Sequence, residues 1–99
     1  MGEYLYMEKD VEGLERELRR VALTISELNR VLGRYKAMKS YIARTKYLKL
    51  LLEEVSGDIT EIEARIQNVI DKLESKVIEY TKKKESLAKE IKKIKGIIS

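Results

Sequence analysis

At 99 residues, with 43% apolar and 38% charged side chains, the chain has room for one domain and no deep interior. The absence of Cys removes disulfides, thiolate nucleophiles and soft metal sites, and the absence of His removes the commonest general base and transition-metal ligand. A formal net charge of +4 permits contact with nucleic acid without arguing for it.

There is no Pro, and Phe and Trp are missing, so the core must be aliphatic with six Tyr as its only aromatics. This is a long-helix composition. The scarcity of amides and the surplus of Lys, Glu and Ile match proteins of hot habitats, a bias that long helices share. The opening Met1-Gly2-Glu3-Tyr4 has no basic stretch ahead of an apolar core, and the longest apolar run, Leu50-Leu51-Leu52, is far short of a membrane span. A cytoplasmic protein without a signal peptide is the expectation.

The first element shows apolar residues at Met7, Val11, Leu14, Leu18, Val21, Ile25, Leu28, Leu32 and Tyr35. Steps of four and three mark a helix that buries one stripe against another helix. Gly33 interrupts the pattern without ending it, because the stripe goes on through Tyr35, Met38, Ile42 and Leu52 with a three-residue slip near Met38. The spacing predicts one continuous or mildly bent helix over about 3–55.

Ser56-Gly57-Asp58 then reads as a turn over 56–58. Gly57 lacks the Cβ that opposes a left-handed helix end, Asp58 is placed to cap the next helix, and Glu61 supplies the other half of a capping box. The second helix is predicted over about 59–97. Its stripe is Ile59, Ile62, Ile66, Ile70, Leu73, Val77, Tyr80, Leu87, Ile91, Ile94 and Ile98.

The fold class is therefore all-α, a single domain over 1–99. Its architecture is an antiparallel two-helix hairpin of coiled-coil type, expected to dimerise into a four-helix bundle. Charge supports the fold-back. Residues 1–18 carry six acids and two bases, 19–52 nine bases and one acid, 53–79 eight acids and three bases, and 80–99 seven bases and two acids. Folding at Gly57 brings residue i near residue 114 minus i, basic stretches opposite acidic ones. The arms come out unequal, about 52 and 41 residues, so about a dozen N-terminal residues including Tyr4, Leu5, Tyr6 and Met7 overhang.

Three surfaces are candidates for function. Tyr47 to Leu52 is apolar around most of the helix, and Ile70, Ile78 and Ile97 widen the second stripe, so self- or partner contact is expected at Tyr4, Tyr6, Leu48, Leu51, Leu52, Ile70 and Ile78. The basic run from Arg34 to Tyr47 and the cluster Lys82-Lys83-Lys84 offer phosphate contacts at Arg34, Lys36, Lys39, Arg44, Lys46, Lys83 and Lys84, although the bases encircle the stripe as they do on any solvated helix. The overhanging Tyr4-Leu5-Tyr6-Met7 is the third. For chemistry, Glu53-Glu54, Glu61/Glu63 and Asp71/Glu74 are helix-surface acids with no His or third convergent carboxylate beside them. No phosphate loop or catalytic Ser arrangement appears. No enzyme, cofactor, metal or small-molecule substrate is expected. The reading is a non-catalytic protein–protein interaction module, an adaptor, scaffold or assembly subunit and itself a homodimer. A small basic nucleic-acid-binding protein is the alternative, and a helical chaperone or assembly factor the second.

Overall fold

A computed structural model describes residues 2–45 and 53–98, with side chains described over 10–45 and 57–96. Two long helices pack against each other as a hairpin: α1, Gly2–Arg44, and α2, Glu53–Ile98. The expected seam is present. With its residues assigned to positions a and d of a heptad, Val11, Leu18, Ile25 and Leu32 occupy a on α1, and Leu14, Val21, Leu28, Tyr35 and Ile42 occupy d. On α2, Ile70, Val77 and Ile91 take a, and Ile66, Leu73, Tyr80, Leu87 and Ile94 take d. All of these are buried or half-buried.

The contacts divide into two units, each built from a stretch of both helices. In the first, over 1–27 and 77–99, Val11, Val21 and Ile91 are buried. In the second, over 28–76, Leu32 and Ile70 are buried. Two helices can cover each other along a single line only, so most seam residues keep an open side. No polar or charged side chain is buried among the described residues.

The turn at 56–58 is not formed. Ser56, Gly57 and Asp58 lie inside α2, and no described glycine has a positive φ. The helix begins earlier, at Glu53. With that start, an interior glycine costs only about 1 kcal/mol, which the seam residues on either side offset. The capping box has no role there, and Glu61 instead takes a hydrogen bond from Arg65 Nη2 at 2.8 Å, one turn on. At the other boundary Thr45 follows α1 as a turn: its N–H donates to the Tyr41 carbonyl at 3.1 Å and its hydroxyl to the Ile42 carbonyl at 2.8 Å. Arg44 supplies a positive charge at the negative helix end.

The described helices are near-equal, 43 and 46 residues, and the side chains of Tyr4, Leu5, Tyr6 and Met7, the expected overhang, lie outside those described. Gly33 leaves α1 unbroken, as the stripe suggested. The slip near Met38 does not occur. The heptad runs on from Tyr35 to Ile42 with Lys39 in the intervening a position, and Met38 falls one step to the side.

Candidate interaction surface

Beside the seam, each helix has two edges, position e on one side and g on the other. Antiparallel helices bring e against e and g against g, whereas parallel helices bring g against e. In the first unit Glu17 and Lys83, both g, meet at 3.3 Å, and Glu15 and Lys95, both e, meet at 2.8 Å. In the second, Lys36 and Glu74, both e, stand 3.9 Å apart. These three pairs each join like edges, and each sets a base of one charge block against an acid of another. The register also moves with the reversal: Lys36 reaches Glu74 where a turn at Gly57 would offer residue 78, and Glu15 reaches Lys95 where it would offer residue 99.

Glu15 shows the electrostatic consequence. Its carboxyl is held below its ordinary pKa, first by the hydrogen bond from Lys95, then by that ammonium's charge and by Arg19, with burial opposing. Because the folded value is lowered, the pair stabilises the fold fully above the ordinary carboxylate range, and this contribution is lost as pH falls through the lowered value. An NMR titration of the Glu15 carboxyl is expected to give a midpoint below that of an unpaired glutamate, and Lys95→Gln is expected to raise it toward the ordinary value, Arg19 remaining. An unchanged midpoint in Lys95→Gln refutes the pairing.

The basic candidates are scattered among different roles. Lys36 and Lys83 face carboxylates of the opposite helix. Arg34, Lys39, Arg44 and Lys84 are exposed at three different heptad positions, c, f and (for the two lysines) a, and do not form one face. Lys46 lies outside the described residues.

The expected contact residues also separate. Leu48, Leu51 and Leu52 lie outside the described residues, and Tyr4 and Tyr6 belong to α1 with side chains that are not described. Ile78 is 57% exposed. Ile70 is corrected: at 2% exposure it is covered inside its own unit and offers nothing to a second molecule. Its position a explains this, since it stands on the seam.

A surface that sequence reasoning missed lies on the second unit. Met38 and Ile62, taken there as seam residues, are both g and are 42% and 48% exposed. Val31 and Val69, also g and half-buried, precede the buried Leu32 and Ile70. Lys36 and Glu74 close the e edge, so these four apolar side chains share the opposite edge. Tyr41, 64% exposed, extends the strip outward from Met38. Met38, Tyr41 and Ile62 are three of the five large apolar side chains exposed among the described residues. Leu23 and Ile78, the other two, are single outward-facing positions of the first unit. The signal was available: in the second unit the g positions carry Val31, Met38, Ile62 and Val69 beside Thr45 and Lys76, where in the first unit they carry Asp10, Glu17, Thr24, Lys83, Glu90 and Ile97.

The arrangement offers apolar burial and charge pairing. No group of three or more His, Cys, Asp or Glu that could hold a metal ion is found among the described residues. Among the same residues, no helix is long and apolar enough to cross a membrane. Comparison with known proteins finds no matching family, no matching curated protein and no matching solved structure.

Proposed function

We propose that this chain is a non-catalytic protein–protein interaction module that acts as an adaptor, scaffold or assembly subunit by presenting helical surfaces to other helices. The observation that carries this is the apolar g edge of the second unit. A hairpin already closed along its seam has no use for a second apolar strip, and exposed strips of this kind mark association surfaces.

Self-association into a four-helix bundle is the first assembly proposed, with Ile78 and the apolar Leu48, Leu51 and Leu52 as contacts. Light scattering on the full chain at tens of micromolar is expected to give the mass of a dimer, and Ile78→Asp to shift it toward a monomer with helicity unchanged. A strict monomer at that concentration removes the homodimer. Nucleic-acid contact has less behind it, since two of its candidate residues are engaged across the hairpin. It predicts a mobility shift that weakens steeply with salt. For the interaction module no shift is expected even at low salt.

A further inference from the structure

We infer that the g edge of the second unit is a docking strip for an acidic amphipathic helix of another protein. This rests on the interaction-module reading but not on its homodimer. The strip repeats one spacing on both helices. On α1 Val31, Arg34, Met38 and Tyr41 follow at steps of three, four and three, and on α2 Ile62, Arg65, Val69 and Lys72 follow at the same steps. The first and third members stand at g. The second and fourth stand at c, the position immediately outside g, which forms the rim. The apolar centre is therefore bordered by Arg34 on one side and by Arg65 and Lys72 on the other, all exposed.

The rim's charge selects the occupant. Asp58 is its one acid, at the end of the α2 row, and Glu61, which holds Arg65 at 2.8 Å, lies one position further out. Along α1 no acid occurs from Leu28 to Thr45, so nothing on that helix offsets Arg34 locally. A second copy laid face to face on this strip meets basic rim with basic rim in either orientation. Arg34 faces its own copy when like helices align, and Arg65 or Lys72 when unlike helices align. Like charges at a contact are penalised, and opposite charges choose partner and register. A helix with one apolar stripe between two rows of Glu or Asp fits both features, by the helix-in-groove mode of recognition.

The test uses the full chain and a dye-labelled peptide of about five helical turns. The peptide carries Leu on its a and d positions and Glu on both flanks, and a second peptide has Lys in place of every Glu. The acidic peptide is expected to bind, and the basic one at least about tenfold more weakly at low salt. Met38→Asp and Ile62→Asp are each expected to weaken acidic-peptide binding by about tenfold or more, and Arg34→Glu by about two- to fivefold, while Leu23→Asp, at an exposed position of the first unit, leaves it unchanged. In the unsubstituted chain, amide signals around Val31, Met38, Ile62 and Val69 are expected to shift on titration, which tests the site without any variant. Equal or tighter binding of the basic peptide, loss of binding on Leu23→Asp, or no signal shift at those residues overturns the inference. So does a dimer that Met38→Asp dissociates, since a second copy then holds the strip. A monomer that binds the acidic peptide keeps the inference and removes the homodimer, and a dimer that binds neither peptide does the reverse.

Discussion

Ile70→Ala is expected to destabilise the hairpin by about 2–4 kcal/mol and to lower its Tm by more than about 10 °C, as read from thermal unfolding by circular dichroism. Ile70 is 2% exposed and shares the second unit's buried seam with Leu32. In a globular core, neighbouring layers move in to fill part of the space left by a deleted side chain. A two-helix seam has no further layer, and its remaining members are half-open to solvent, so the cavity fills with water and the apolar contacts of Leu32 go with it. Ile70→Asp is expected to cost more, because an uncompensated carboxylate then sits on the seam. The contrast is Ile78→Asp, 57% exposed and off the seam, which is expected to leave the monomer's stability within about 0.5 kcal/mol. Equal losses at the two positions would contradict the assignment of Ile70 to the seam and Ile78 to the surface.

Those two isoleucines show what periodicity can and cannot say. Ile70 and Ile78 both looked like widenings of one stripe, because apolar content alone does not distinguish a from b. Once the seam's phase is fixed by its partner, eight residues separate a buried position from an exposed one. The same ambiguity misassigned Met38 and Ile62. Each stands next to a seam position that carries a charged residue, Lys39 and Glu63 respectively, and a search for apolar residues slides onto the neighbour. The fold class was legible, since the heptads and the alternating charge blocks are properties of long stretches that no single residue can upset. The location of the reversal was not. Ser-Gly-Asp with a Glu three residues on is equally a capping box and a tolerated helix interior, and the difference between them is about 1 kcal/mol. The helix in fact starts upstream, at Glu53, and Glu61 is used by Arg65 one turn on. The apolar edge was written in the g positions but becomes visible only when the e edge is seen to be closed by Lys36 and Glu74.

Gly57 separates the two hairpins most sharply, because its substitutions have opposite signs in the two geometries. Within α2 its backbone has no positive φ, and a Cβ built there meets nothing within 4 Å. Gly57→Ala is therefore expected to stabilise by about 0.5–1 kcal/mol, through reduced entropy of the unfolded chain and better helix propensity. At a left-handed helix end the same change would destabilise, by about 1 kcal/mol or more, since an alanine Cβ opposes that conformation. Gly57→Pro is expected to cost about 3 kcal/mol or more, as the ring removes one helical N–H and collides with the carbonyl of Glu53, four residues earlier in the same helix. Gly33, interior to α1 with the same open surroundings, serves as the internal standard: Gly33→Ala is expected to match Gly57→Ala in sign and size. Parallel gains at both glycines, with Gly57→Pro collapsing the second unit's helicity, place the reversal upstream of Glu53. A loss at Gly57→Ala beside a gain at Gly33→Ala would restore the turn at 56–58, lengthen the first arm, and undo the register on which the g edge and its basic rim depend.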